Sequence, residues 1–230
     1  MERFVAEDMS RALVVVAHPD DAEYGISCAV AQWTAEGKDV HYFLLTSGEA
    51  GIQSLAPKKC GPLRAREQRN ACAAVGVTGL RIADFRDGYV EWGLELRQAI
   101  AEEIRRIKPD TVVISTYELE VPWGFNHVDH RAVGLAAIDA IRDAANPWVF
   151  PDTDDEAHEV KTLLISGAAE PTHAVTVSDK AFQKGIKSLA AHEEYLKALP
   201  DHPSPKELME NVTIDVDGAR AVGFSVHDMA

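Results

Sequence analysis

Two short clusters of histidine and aspartate are the residues of this chain best suited to bind a metal ion. They read HPDD at positions 18–21 and HVDH at positions 127–130. A catalytic zinc site typically holds three His or acidic ligands and keeps a fourth position open to water. The clusters predict His18, Asp21 and His130 as these ligands, although the same donors accept Fe²⁺ or another divalent ion.

Each cluster taken alone has a simpler interpretation. HPDD can form a turn whose aspartate caps the next helix, and HVDH can be a helix start with surface charges. The metal site is therefore favoured only if both clusters come to one place. Whether they do depends on the secondary-structure elements that precede them.

The elements alternate between strands and helices. The run ALVVVA at 12–17 is apolar and β-branched without alternation, which is typical of a parallel strand covered on both faces. Further strands are predicted at 40–47, 80–85, 111–116, 162–168, 173–178 and 221–226, and helices at 23–36, 62–75, 94–107, 128–144 and 180–199. This order predicts an α/β fold with a Rossmann-like, doubly wound, mainly parallel sheet and helices on both faces.

In a doubly wound sheet, the first and fourth strands are neighbours, and ligands bind in the crevice beyond their carboxyl ends. HPDD follows the first predicted strand, and HVDH follows the fourth after a loop. The topology thus predicts that the clusters meet. The first turn also lacks the glycines that a phosphate-binding loop needs, which argues against a dinucleotide site.

The remaining residues of the clusters suggest catalytic roles. Asp20 lies between two predicted ligands and is better placed as a general base that activates water beside the metal. His127 could donate a hydrogen bond to an oxyanion, or a proton to a departing amine. Asp129 could fix the tautomer of a neighbouring histidine. His192, in a predicted helix, reaches this site only if that helix borders the crevice.

Composition narrows the partners and the compartment. The chain has 230 residues and a formal net charge of −14, which disfavours nucleic acids and anionic membranes as partners. It contains no apolar stretch near the roughly 20 residues that span a bilayer. The N-terminus lacks a basic segment followed by an apolar one, and the three cysteines form no CxxC pair. We expect a cytoplasmic protein.

The sequence resembles the LmbE/PIG-L family of zinc-dependent N-deacetylases. The resemblance rests on AHPDDAE at 17–23 and HVDHR at 127–131, supported by TSGEAG at 46–51, Arg64 with Glu67, and the DG pair at 87–88. It implies one deacetylase domain over residues 1–230 and a Rossmann-like fold. It also implies a small N-acetylated sugar, of the N-acetylglucosamine type, as the substrate.

The resemblance implies the same metal ligands, base and histidine roles as the clusters themselves. It adds Arg64 as a contact to the sugar or its appended group and Asp87 as a ligand of sugar hydroxyls. Trp123, in the loop before HVDH, is expected to stack on a sugar face, or else to pack that loop against the body. Ala22 before Glu23 departs from the common HPDDE pattern, and residues beyond about 145 match poorly.

Other functions stay open at this point. The chain could cleave a larger N-acyl group or the amide of a thiol conjugate. It could be a metal-free nucleotide-binding domain, or an inactive homologue that still binds metal. A homo-oligomer is also open, because nothing in the sequence specifies its symmetry.

Overall fold

The computed structural model describes residues 1–6, 9–122 and 124–229. In these ranges the chain forms the following strands and helices, in chain order: β1 Glu2–Arg3, β2 Arg11–Val16, α1 Asp21–Gly25, α2 Ser27–Ala35, β3 Asp39–Leu44, α3 Pro57–Val75, β4 Gly79–Ile82, α4 Leu94–Ile107, β5 Thr111–Ser115, β6 Glu120–Val121, β7 Gly124–Phe125, α5 Val128–Ala145, β8 Thr162–Ser166, β9 His173–Thr176, α6 Asp179–Ala190, α7 Glu193–Lys197, α8 Pro205–Val212, β10 Ile214–Val216 and β11 Ala219–Asp228.

One mixed sheet runs through the molecule. Its strand order is β1-β9-β11-β8-β5-β2-β3-β4, and β10 pairs with β11. The segment from β8 through β5, β2 and β3 to β4 is parallel throughout, whereas β11 runs antiparallel between β8 and β9. The predicted α/β class with a mainly parallel sheet is therefore confirmed.

Strand β2 shows why the sheet needs helices on both faces. Val14 and Val16 belong to the core cluster that includes α2 and α6, while Leu13 and Val15 belong to the cluster on α4 and α5. All four side chains are almost fully buried. Because neighbouring residues of a strand point to opposite faces, an unbroken apolar run buries both of them.

The predicted position of the crevice is the place where β2 and β5 end side by side. The two strands pair in parallel, with Val15 beside Ile114. From β2 the sheet continues through β3 to β4, and from β5 it continues in the other direction to β8. This reversal is the switch point at which such sheets bind ligands. HPDD follows β2, and HVDH follows β5 after a loop.

Several predicted helix limits were wrong. The helix predicted from Pro62 begins at Pro57, which occupies the first turn, where a missing N–H costs nothing, so Pro62 lies inside the helix. The helix predicted over 23–36 is two helices that meet at Ile26. The helix predicted over 180–199 is also interrupted, between Ala190 and Glu193.

Some elements were not predicted. Helix α8 is absent from the predicted helices; it begins at Pro205, and Ser204 and Glu207 form a capping box there. The short β6–β7 hairpin lies in the loop before HVDH. No helix in the described part of the chain is both long and apolar enough to cross a membrane.

Candidate active site

The HPDD turn is closed by the carboxylate of Asp21. Its Oδ2 accepts the backbone N–H groups of Ala17 at 3.0 Å and His18 at 2.8 Å. Asp20, just before α1, has φ +89° and ψ −23°. A residue other than glycine held at such a positive φ costs on the order of 1–3 kcal/mol, and strain of this kind is common at functional sites.

The HVDH segment forms the first turn of α5. His127 is the N-cap residue, and its Nδ1 accepts the backbone N–H of Asp129 at 3.2 Å. In a neutral ring the proton is then on Nε2, which makes this nitrogen a donor. The imidazole of His127 lies near the other two histidines, with ring centroids 5.1 Å from His18 and 5.4 Å from His130.

The structure brings the three predicted metal ligands together. His18 Nδ1 lies 3.2 Å from His130 Nε2. Asp21 places Oδ1 3.1 Å from His130 Nε2 and Oδ2 3.7 Å from His18 Nδ1. Three potential ligand atoms from two distant parts of the chain therefore face one another at the crevice.

The outer nitrogens of both histidines are engaged by hydrogen-bond acceptors. His18 Nε2 lies 3.1 Å from Asp129 Oδ2 and 3.1 Å from Asp87 Oδ1. His130 Nδ1 lies 3.0 Å from Asn126 Oδ1, and the Asn126 amide is oriented because its Nδ2 donates to Thr116 O. These contacts place a proton on each outer nitrogen.

In these neutral tautomers the inner nitrogens, His18 Nδ1 and His130 Nε2, direct lone pairs toward each other and toward the Asp21 carboxylate. A proton or a metal ion between these atoms would relieve their repulsion, and two imidazoles with one carboxylate suit a divalent transition metal. One ring nitrogen from each of His18, His127 and His130 lies within 4.8 Å of the others, and His18, Asp87 and Asp129 form a second close group. In that second group the carboxylates already accept backbone N–H groups.

The electrostatics match this arrangement. Burial raises the pKa of Asp21, but His130 and His18 outweigh it and hold that pKa well below its usual value. Burial lowers the pKa of His18, but Asp21, Asp129 and Asp87 together raise it well above the usual value. The site therefore strongly favours positive charge at the point where the ligand atoms converge.

Asp20 is buried beside the converging ligands and points to a different partner. Its Oδ2 lies 3.0 Å from Arg64 Nη2, and the residue is only 4% exposed. Burial raises the pKa of Asp20, and Asp21 adds to this effect, while Arg64 opposes it. A raised pKa makes a carboxylate a better proton acceptor.

Arg64 is enclosed by protein, with 2% of its surface exposed. Its guanidinium donates to Pro19 O at 2.6 Å and to Gly48 O at 3.2 Å, and stacks 3.9 Å from the ring centre of Tyr195. A Cβ at Gly48 or Gly51 would collide with this guanidinium, which explains the glycines of TSGEAG. Arg64 thus contacts Asp20 and leaves little surface for a sugar.

Asp87 and Trp123 are the other two predicted substrate contacts. Asp87 is 7% exposed, and besides contacting His18 it accepts the backbone N–H of Ala50 at 2.8 Å. It lies beneath the histidine and does not face outward. Trp123 lies outside the described residues.

Four buried residues of the site were not singled out from the sequence or were given only a conditional role. They are Glu23, Gln68, Asn126 and His192, and each is 4% exposed or less. For three of them, the distance in sequence from a predicted site residue could have suggested a role. Glu23 is three residues after Asp20, Gln68 is one helical turn after Arg64, and Asn126 directly precedes His127. His192 Nε2 lies 3.4 Å from Glu23 Oε2, which places the region between α6 and α7 against α1, behind Asp20.

Comparison with known proteins agrees with this geometry. Residues 13–141 match the family model described as PIG-L: GlcNAc-PI de-N-acetylase. The diacetylchitobiose deacetylase of Thermococcus kodakarensis is 27% identical over 81% of this chain and 70% of its own length. A probable N-acetyl-alpha-D-glucosaminyl L-malate deacetylase 2 of Bacillus anthracis is 30% identical over 78% of this chain and 79% of its own.

A solved structure shares the fold. The N,N'-diacetylchitobiose deacetylase from Pyrococcus horikoshii superposes with a TM-score of 0.86 at 20% identity, covering 97% of this chain and 85% of that one. The family match begins in β2 and ends in α5, so it contains both HPDD and HVDH. Since it spans more than half of the sequence, the chain belongs to the PIG-L family.

Proposed function

We propose that the protein is a metal-dependent hydrolase that removes the acetyl group from the nitrogen of a small amino sugar of the N-acetylglucosamine type. The observation that carries the proposal is the convergence of His18 Nδ1, His130 Nε2 and the Asp21 carboxylate, with the outer nitrogens already engaged. The names of two relatives, both deacetylases of acetylated sugars, support the choice of reaction and substrate class.

His18, Asp21 and His130 would hold the metal ion, for which zinc is the proposed identity. Two imidazole nitrogens and one carboxylate are a common catalytic zinc set. A bound zinc ion supplies Lewis-acid polarisation of a carbonyl and lowers the pKa of water toward about 7. Asp87 and Asp129 keep the proton of His18 on Nε2, so that Nδ1 remains a ligand atom.

The protein residues account for the proton transfers. Asp20 accepts a proton from the attacking water, and its raised pKa suits this role. The Nδ1 of His127 accepts the Asp129 N–H, so His127 donates a hydrogen bond from Nε2. The acceptor is the acetyl carbonyl oxygen, which becomes the oxyanion when water attacks. Asp20 then returns the proton taken from water to the amine as the carbon–nitrogen bond breaks, while His127 keeps its Nε2 proton.

The sugar is proposed to lie over exposed apolar side chains at the mouth of the site. Tyr89, Phe125 and Val128 are all exposed. Tyr89 lies between Gly88 and Val90, whose backbone N–H groups bind Asp129, and Phe125 and Val128 flank the Asn126–His127 pair. Apolar faces of this kind stack against the C–H faces of sugars.

A cytoplasmic location remains part of the proposal. Cys28, Cys60 and Cys72 are buried free thiols. Unpaired cysteines are typical of a reducing compartment.

The proposal is tested with a panel of N-acetylated amino sugars and larger N-acyl or thiol-conjugate amides, incubated with zinc-loaded protein. Release of acetate and of the free amine from the acetamido sugars is expected. Preferential cleavage of the larger amides would favour the amidase alternative. No release from any member of the panel would contradict the proposed reaction.

A further inference from the structure

Behind Asp20 lies a buried polar group that the proposed reaction does not use directly. Glu23, Gln68 and His192 come from α1, from α3 and from the interruption between α6 and α7. Their side chains are 0%, 1% and 0% exposed. Buried charged and amide groups are costly unless they are satisfied by partners, so their partners indicate what the group does.

Gln68 connects Asp20 to Glu23. Its Oε1 accepts the backbone N–H of Asp20 at 2.9 Å, and its Nε2 donates to Glu23 Oε2 at 3.2 Å. Because the amide donates to Glu23, its oxygen is turned toward Asp20. The residue that this amide holds is the one with φ +89°. A conformation that a non-glycine residue rarely adopts persists only when surrounding contacts impose it.

His192 supports Glu23 from the other side. Its Nε2 lies 3.4 Å from Glu23 Oε2, at ion-pair distance though not in hydrogen-bond alignment. Ser188 Oγ lies 3.3 Å from Glu23 Oε1. Burial lowers the pKa of His192, but Glu23 and Asp20 outweigh it, so that the pKa is raised above its usual value.

The same segment also reaches Asp20 through a second route. Tyr195, three residues after His192, stacks on the Arg64 guanidinium, and Arg64 contacts the Asp20 carboxylate. The backbone N–H of Glu194 is bonded to Glu67 on α3. The α6–α7 interruption therefore packs against both the backbone contact and the side-chain contact of Asp20.

We propose that His192 is a positioning residue for Asp20, which acts through Glu23 and Gln68 to hold the Asp20 backbone in its positive-φ conformation. Without the imidazole, Glu23 would keep a buried charge with fewer partners, and its amide partner Gln68 would shift. Asp20 would then lose the acceptor of its N–H and relax. The proposal rests on the proposed function, in which Asp20 is the base.

The test compares His192→Leu, which removes the imidazole, with His192→Gln, which keeps an N–H donor close to the position of Nε2. For His192→Leu we expect kcat to fall roughly 100-fold, as for a reacting group displaced by about 1 Å, with KM nearly unchanged. His192→Gln should recover most of that loss. Metal content should stay at the wild-type level in both variants.

A second readout does not depend on activity. Crystal structures of His192→Leu and of Gln68→Met should show Asp20 outside the positive-φ region, whereas His192→Gln should retain it. If wild-type protein deacetylates nothing, the proposed function fails. These structures still show whether His192 holds the Asp20 backbone in its positive-φ conformation. Gln68→Met tests only the last link, from Gln68 to the Asp20 N–H; if His192→Leu does not fold, His192→Ala replaces it as the test of His192.

The matched control is His41→Leu. His41 Nε2 lies 3.0 Å from Asp39 Oδ1, a histidine–carboxylate pair at the opposite edge of the sheet, where β3 begins. This variant should keep wild-type kcat and the positive φ of Asp20. The proposal is overturned if His192→Leu keeps both kcat and the Asp20 conformation, or if His192→Gln is as impaired as His192→Leu.

Discussion

His18 Nδ1 and His130 Nε2 lie 3.2 Å apart although 112 positions separate the two residues in the chain. The parallel pairing of β2 and β5 brings the residues to one edge of the sheet. Asp129 and Asn126 then turn the two rings so that their unprotonated nitrogens face each other. The fold and the outer hydrogen bonds together create a position that favours a cation.

Replacing one of these nitrogens should abolish tight metal binding. For His130→Ala we expect zinc affinity to fall by more than about 100-fold, beyond the 10–100-fold typical of an outer residue. Calorimetric titration of metal-stripped protein measures this loss. His173→Ala, at a partly exposed histidine on β9, should leave the affinity unchanged. Wild-type affinity in His130→Ala would remove this residue from the site.

Asp129 should tune the metal site without binding the ion. Asp129→Asn would bring an amide group to a position that accepts the N–H groups of Gly88 and Val90 and contacts His18 Nε2. We expect a loss of about 10–100-fold in zinc affinity. Asp139→Asn, at an aspartate of the same helix that binds the Trp92 indole, is the matched control. Equal affinities in the two variants would count against the orienting role.

The exposed ring of Phe125 should bind substrate rather than take part in the reaction. Phe125 directly precedes Asn126, which contacts His130, and its ring is proposed to lie at the mouth of the site. Loss of an aromatic contact worth about 0.5–1.5 kcal/mol should raise KM roughly 2–10-fold in Phe125→Ala, with kcat within about twofold. Steady-state kinetics on an acetamido sugar measure both values. Trp148→Ala, at a highly exposed aromatic beyond the far end of α5, should change neither.

Asp110 should stabilise the fold in a pH-dependent way at the edge opposite the site. Burial raises its pKa, but hydrogen bonds from Ser10, Arg11 and Thr111 outweigh it and lower that pKa. A lowered folded-state pKa gives stability above the unfolded value near 3.9, and this stability is lost as pH falls through the folded-state pKa.

We therefore expect Asp110→Asn to reduce the free energy of unfolding at pH 7 by about 1 kcal/mol, a modest value because the group is part-buried. The difference from wild type should shrink as the pH falls below about 4. Urea unfolding at several pH values measures it, with Asp154→Asn in an exposed loop as the control. A difference that grows on acidification would contradict the assigned sign.

Much of this site could be predicted because its residues follow strands with strong apolar patterns. The run at β2 identified a strand buried on both faces, and the alternating order of elements placed β5 beside it. The partners of each side chain were harder to predict. The sequence around Arg64 does not indicate that its guanidinium contacts Asp20, because the contact between the two side chains depends on how α3 packs.

The structure of the C-terminal part was predicted least accurately, for the same reason. The interruption that brings His192 to Glu23 has no proline or glycine to mark it in the sequence. Its position follows from tertiary contacts with α1 and α3, which local patterns do not encode.

Asp20→Asn is the most direct test of the proposed reaction, because it removes the base while it keeps the size and shape of the side chain. Asparagine is nearly isosteric and tolerates positive φ better than most residues, so the turn should persist. We expect the wild-type zinc content, with a kcat for acetate release that is about 10²–10⁴-fold lower. An Asp20→Asn protein that binds zinc and deacetylates at nearly the wild-type rate would contradict the role of Asp20 as the base.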